Sequence, residues 1–132
     1  MTGATVGIIL VSHSAELAAG AAHLAAQVSG GTVTIIAAGG TDDGDLGTSA
    51  GKVEDALRQA DQGAGVVVLP DLGSAVLTVR AVLEDYGSAG SILLADAPFV
   101  EGAVAATVIA AAGGDLKAVA AAAEEARHAR KL

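Results

Sequence analysis

Val6-Gly7-Ile8-Ile9-Leu10-Val11, followed at once by Ser12-His13-Ser14, is an apolar run that stops abruptly at a short polar loop. A strand with one wet face alternates apolar and polar residues, so a continuous run predicts a strand buried on both faces. Three similar runs follow, at residues 33–37, 65–69 and 91–94. Between them the periodicity changes to that of helices. Leu17, Ala21, Leu24 and Val28 place one apolar stripe on a first helix of about four turns. Residues 52–62, 74–86 and 100–112 supply three more helices, and residues 115–128 a fifth, set off by the helix-breaking pair Gly113-Gly114. This alternation predicts an α/β fold: a doubly wound, mainly parallel four-stranded sheet with helices on both faces.

The size and composition agree with one such domain spanning residues 1–132. Ala and Gly fill 50 of the 132 positions, while aromatic residues make up 2% and cysteine is absent. Disulfides, thiolate nucleophiles and Cys-based metal sites are thereby excluded. A hydrophobic fraction of 52% argues against disorder. Residues 17–41 carry no Asp, Glu, Lys or Arg, yet Gln27, Ser29-Gly30-Gly31-Thr32 and Thr34 interrupt them too early for a membrane span. No cationic segment precedes the first apolar run, so no secretory signal is expected and the cytoplasm is the expected location. A net charge of −8 argues against nucleic acid as a partner. The charge is uneven, at −10 over residues 1–116 and +2 over residues 117–132. That tail is a solvated basic helix face or a docking feature.

In a doubly wound sheet ligands bind at the carboxyl ends of the strands, near the point where strand order reverses. If the strand order is 2-1-3-4, the order expected of this doubly wound sheet, the first and third loops face each other across that point, which brings His13 next to Asp71. A neutral imidazole with one nitrogen protonated toward a carboxylate offers the other nitrogen's lone pair as a phosphoryl acceptor. The competing reading is that Ser12 or Ser14 caps the first helix and His13 is incidental. His23 and His128 lack strand-end context and are expected on the surface.

The second loop, from Gly39 to Ser49, fails as a P-loop because Lys52 is followed by Val53 and Leu46 stands where the first glycine belongs. It also fails as an EF-hand, with Gly47 and Thr48 at positions that need a ligand and the turn glycine. It remains a long glycine-rich loop able to lay backbone N–H groups and the Thr48 and Ser49 hydroxyls against an oxyanion, with one of the two hydroxyls capping the second helix. Ser74 reads as an N-cap of the third helix. Asp96 and Glu101 bracket Pro98 at the start of the fourth, where acidic residues complement the helix dipole. No G-x-S-x-G or G-x-G-x-x-G motif occurs, and no histidine cluster suits a metal.

Taken in order, Val11-Ser12-His13-Ser14, the Ala37–Ser49 stretch with Gly39-Gly40-Thr41-Asp42-Asp43-Gly44-Asp45-Leu46-Gly47-Thr48-Ser49, Asp71-Leu72-Gly73-Ser74-Ala75 and Ala95-Asp96-Ala97-Pro98-Phe99-Val100-Glu101-Gly102-Ala103 resemble the phosphotransferase (DhaM) subunits of bacterial dihydroxyacetone kinases, relatives of mannose-type enzyme IIA domains. The resemblance implies a homodimeric phosphocarrier with no tightly bound cofactor. It implies His13 as acceptor of a phosphoryl group from HPr, charged in turn by enzyme I, and transfer onward to ADP held on DhaL, while DhaK binds dihydroxyacetone. Asp71 matches the aspartate that orients the histidine. Ser14, Gly39, Gly40, Thr48, Ser49 and Ser74 fall among residues around the phosphoryl group. Leu77-Thr78 depart from the Met-Asn that many members carry. Many relatives also hold HPr-like and enzyme I-like domains in one chain, so with Leu132 as the last residue a separate donor is expected. Two other readings stay open: a mannose-type IIA domain serving a sugar-specific IIB domain, and a non-enzymatic anion-binding regulatory module.

Overall fold

The computed structural model describes residues 4–86 and 91–132. Strand β1 spans Gly7–Ser12, β2 Ile35–Gly39, β3 Val66–Pro70 and β4 Ile92–Leu94. Helix α1 spans Ala15–Ser29, α2 Ala50–Ala60, α3 Gly73–Tyr86, α4 Phe99–Ala111 and α5 Leu116–Glu125, with a 3-10 turn at Ala126–His128. The strands form one parallel sheet in the order β2-β1-β3-β4. The expected architecture and strand order hold.

Alternate residues of the two central strands serve two cores. Ile8 and Leu10 of β1 and Val67 and Leu69 of β3 face α1, α4 and α5. Ile9, Val11, Val66 and Val68 face α2 and α3. All eight are fully buried, which is why the sequence shows unbroken apolar runs instead of alternation.

Several boundaries move. Val33 is buried but precedes β2, which runs on to Gly39, and β3 ends on Pro70. Helix α2 starts at Ala50 behind a Ser49 cap, and α4 starts at Phe99, so Pro98 precedes the helix instead of occupying its first turn. Asp115 caps α5 and lies outside it. Gly30, in the left-handed region at φ +83°, ends α1, a conformation that Gly adopts without the Cβ clash of other residues.

The stripe on α1 also differs from expectation. Its buried residues are Ala18, Ala21 and Ala25, while Leu17, Leu24 and Val28 are exposed. Small side chains on α1 meet Ala103, Ala106 and Ala110 of α4 in the same core, so the helices approach closely and the larger residues turn outward.

The basic tail folds back on the chain. Arg127 donates to the Asp96 carbonyl, and Lys131 Nζ lies 2.7 Å from Glu101 Oε2. The hydrogen bond from Lys131 holds the Glu101 carboxyl below the usual range. No helix among the described residues is long and apolar enough to cross a membrane.

Candidate functional site

The carboxyl ends of β1 and β3 lie side by side, with Val11 in register with Pro70, so the residues just beyond them meet. Asp71 N–H extends the sheet by donating to the Val11 carbonyl at 2.9 Å. Its side chain then receives four donors. Oδ1 accepts from the His13 ring at Nδ1 (2.9 Å) and from Leu72 N–H (2.7 Å). Oδ2 accepts from Ser12 Oγ (2.9 Å) and from His13 N–H (3.1 Å).

Burial raises the Asp71 carboxyl pKa, but the hydrogen bonds from the His13 backbone, the His13 ring and Ser12, with the attraction of the imidazole, outweigh it and leave the pKa below the ordinary value. The carboxylate is therefore ionised at neutral pH and can only accept. The nitrogen facing it must carry the ring proton in the neutral imidazole, so Nδ1 donates and Nε2 holds the lone pair.

Nε2 faces Ser74 Oγ at 2.5 Å, and the ring is 25% exposed. The Nε2 contact with Ser74 lies on the exposed side of the site. Helix α1 begins two residues after His13, and Ser74 is the second residue of α3. Two helix amino ends thus lie next to the imidazole, where their dipoles favour added negative charge.

Of the residues singled out in the sequence, His13, Asp71 and Ser74 meet directly. Ser74 does not cap α3 but lies inside it, with its hydroxyl on the ring. Ser14 caps α1, its Oγ accepting from Leu17 N–H. Ser49 caps α2 and also donates to Asp42, and Thr48 Oγ1 lies 2.7 Å from Thr78 Oγ1. Gly39 and Gly40 serve close approach. A Cβ on Gly39 would sit 2.6 Å from the Ser14 carbonyl oxygen, and Gly40 N–H is committed to the Ser12 carbonyl. The loop reaches His13 through Gly47, whose N–H donates to the His13 carbonyl at 2.9 Å. His23 and His128 are exposed.

The sequence pattern alone does not mark Ser12, Gly47, Thr78 or Lys52 as site residues. Lys52 Nζ donates to the Gly39 carbonyl at 2.9 Å, fastening α2 to the end of β2. The available signal for Ser12 was a hydroxyl at the end of a strand otherwise wholly apolar. Leu46, Leu72 and Leu77 are exposed at 80%, 62% and 68%, each one to three residues from Gly47, Asp71 or Ser74. Beyond Asp71 a cleft of about 530 Å³ opens between α3 and the end of β4, lined in part by Val76, Arg80, Leu94 and Asp96.

The sequence pattern described as PTS system fructose IIA component matches residues 7–120, which include the sheet, His13 and Asp71. The chain belongs to that family. Among its relatives, phosphoryl donor subunit DhaM of a PEP-dependent dihydroxyacetone kinase 2 from Listeria innocua is 37% identical over 105 residues, covering 78% of this chain and 84% of the relative. The DhaM phosphoryl donor subunit from Escherichia coli is 39% identical over 119 residues. There the match covers 86% of this chain but 25% of the relative, so this IIA component spans about a quarter of that longer protein. A crystal structure of a protein of unknown function, EF1359, superposes with a TM-score of 0.82 at 34% identity, covering 92% of this chain and 94% of that one.

Proposed function

We propose that this IIA-family chain is the phosphoryl donor subunit of a PEP-dependent dihydroxyacetone kinase, carrying the phosphoryl group on His13 Nε2. The observation that carries the reading is the Asp71–His13–Ser74 line, in which an ionised carboxylate accepts the Nδ1–H bond, keeps the ring proton on Nδ1 and leaves the lone pair on Nε2. The relatives named as phosphoryl donor subunits support the same reading.

In the forward step the Nε2 lone pair attacks the phosphorus of a donor phosphohistidine. The new N–P bond forms as the donor's N–P bond breaks and its electron pair returns to the donor ring. Asp71 stabilises the positive charge that the His13 ring acquires, through the Nδ1–H bond. Ser74, freed from Nε2, donates to a phosphoryl oxygen, and the amino ends of α1 and α3 stabilise the remaining charge. The onward step is the same displacement with an ADP oxygen as nucleophile. The protein supplies orientation and electrostatics, and the covalent chemistry needs no further group.

The resemblance of the loops supports HPr as donor, and ADP on DhaL as acceptor, with DhaK holding dihydroxyacetone. The exposed Leu46, Leu72 and Leu77 near the ring support macromolecular partners. A homodimer is part of the same proposal, supported by the exposed apolar residues of α1. So is a cytoplasmic location, where these partners operate.

Incubation with phosphoenolpyruvate and catalytic amounts of enzyme I and HPr is expected to give a stoichiometric, acid-labile, alkali-stable phosphoramidate signal in phosphorus NMR, which falls to the trace level of the donors with His13→Ala. An unlabelled His13 overturns the proposal. The family's description as a fructose IIA component favours one second reading, transfer to a sugar-specific IIB domain. Transfer from labelled protein to IIB but not to DhaL-bound ADP decides for it. Binding of a phosphorylated metabolite without covalent label decides for an anion-binding module.

A further inference from the structure

Ser12 is the last residue of β1 and is completely buried, which for a hydroxyl requires that both its donor and its acceptor capacity be used. Both are. Its Oγ accepts Ser14 N–H at 3.0 Å, and the one remaining proton donates to Asp71 Oδ2 at 2.9 Å. Its carbonyl accepts Gly40 N–H at 3.1 Å. Helix capping does not account for this side chain, because the N-cap of α1 is Ser14.

The direction of that proton matters. The Ser14 amide occupies the hydroxyl from one side, so the Ser12 proton has a single destination, the Asp71 oxygen that the imidazole ring does not touch. His13 N–H approaches the same oxygen at 3.1 Å. Together these two donors hold the carboxylate plane so that Oδ1 meets Nδ1. Asp71 lines the neighbouring cleft with Arg80 and Asp96; Asp96 is paired with Arg127, and Arg80 has no ion pair among the described residues.

We infer that Ser12 is a positioning residue that locks the Asp71 carboxylate toward His13, so that the ring proton stays on Nδ1 and Nε2 keeps its lone pair. The kinetic part of this inference rests on the proposed phosphoryl transfer; the tautomer part does not.

The test is long-range nitrogen–proton NMR of the His13 ring in the unphosphorylated full chain, with phosphoryl uptake from phospho-HPr measured in parallel. The wild-type protein is expected to show the Nδ1–H tautomer. Ser12→Ala is expected to raise the Nε2–H population severalfold and to slow uptake by about 10-fold, the low end for losing an outer partner of a functional histidine. Ser12→Thr, which retains the hydroxyl, is expected to restore both. Ser12→Cys keeps a side chain in the space but donates weakly, and it carries the tautomer test if Ser12→Ala does not fold. An unchanged tautomer pattern in the folded Ala or Cys variant overturns the inference, as does a Thr variant that behaves like Ala. Should wild-type His13 take no label, the tautomer measurement still decides the role of Ser12, so the two proposals fail separately.

Discussion

Asp71 Oδ1 and His13 Nδ1 stand 2.9 Å apart although 58 residues separate them in the chain. Adjacency of β1 and β3 creates the pair, and four donors on the carboxylate fix its sense. Removal of the charge is the first consequence to test. Asp71→Asn places an amide opposite Nδ1 that can present either its oxygen or its NH2, so the tautomer is no longer enforced. Uptake is expected to fall by about 10²-fold or more, as loss of the orienting carboxylate does at other histidine sites, while the protein remains folded. Rapid-quench measurement of transfer from phospho-HPr checks it.

In the proposed mechanism Ser74 plays two roles in sequence. In the resting protein its hydroxyl occupies the Nε2 lone pair, and after transfer it becomes available to a phosphoryl oxygen. A hydrogen bond to a charged group is worth about 1.5–3 kcal/mol, so Ser74→Ala is expected to slow transfer by about 10- to 100-fold. Because Ser74 is exposed, urea unfolding of the variant should stay close to wild type. A variant with full transfer rate would remove Ser74 from the mechanism.

The lowered pKa of Asp71 gives a pH dependence of defined sign. A carboxyl more acidic in the folded than in the unfolded chain contributes stability above its unfolded pKa, about 3.9, and that contribution is lost as pH falls through the folded value. The wild type should therefore lose stability relative to Asp71→Asn as pH falls below about 4, while the contribution of the Asp71 charge stays complete above it. Denaturant titrations at a series of pH values measure the difference.

Gly39 lies against the first turn of α1, and a Cβ there would meet the Ser14 carbonyl oxygen at 2.6 Å, Ala15 Cα at 2.8 Å and Ala18 Cβ at 2.9 Å. These are backbone or short, rigid atoms with no flexible end to move. Gly39→Ala is expected to destabilise by about 1–3 kcal/mol through overpacking and to displace α1 from the ring. A lower urea midpoint accompanied by slower labelling of His13 is the expected result.

Asp42, Asp43 and Asp45 crowd an exposed loop whose Gly47 N–H holds the His13 carbonyl. A donor with a basic rim would be steered by them, so transfer at low donor concentration should weaken as salt rises toward the regime where the Debye length is about 8 Å. The triple Asn variant should raise KM, flatten the salt dependence and leave kcat unchanged.

Continuous apolar runs and Ala-rich helices were sufficient to read a parallel sheet covered on both faces, because burial on both faces leaves a mark on every strand residue; the strand order, on which the pairing of the first loop with the third depends, is not written in those runs. His13 and Asp71 were legible as strand-end residues whose loops meet once the first and third strands are neighbours, whereas Ser74 read as a helix cap and joined the site only through the resemblance. Exact helix starts were less legible. Ser49 and Ser74 follow similar turn chemistry, yet one caps a helix and the other sits inside one with its hydroxyl on a ring 61 residues away. Nor did spacing reveal which stripe of α1 is buried, since Leu17, Leu24 and Val28 satisfy the helical period as well as Ala18, Ala21 and Ala25 do.

What the amino-acid sequence determined by itself is the chemistry within reach: one histidine at a strand end, a carboxylate to meet it, and no thiol to compete. The tertiary structure alone decided its direction. Which imidazole nitrogen faces the carboxylate depends on side-chain geometry between two crossing loops, and that geometry is held by a buried hydroxyl, two backbone N–H groups and a serine on another helix. These are distance- and angle-dependent bonds between segments far apart in sequence, so no local pattern encodes them.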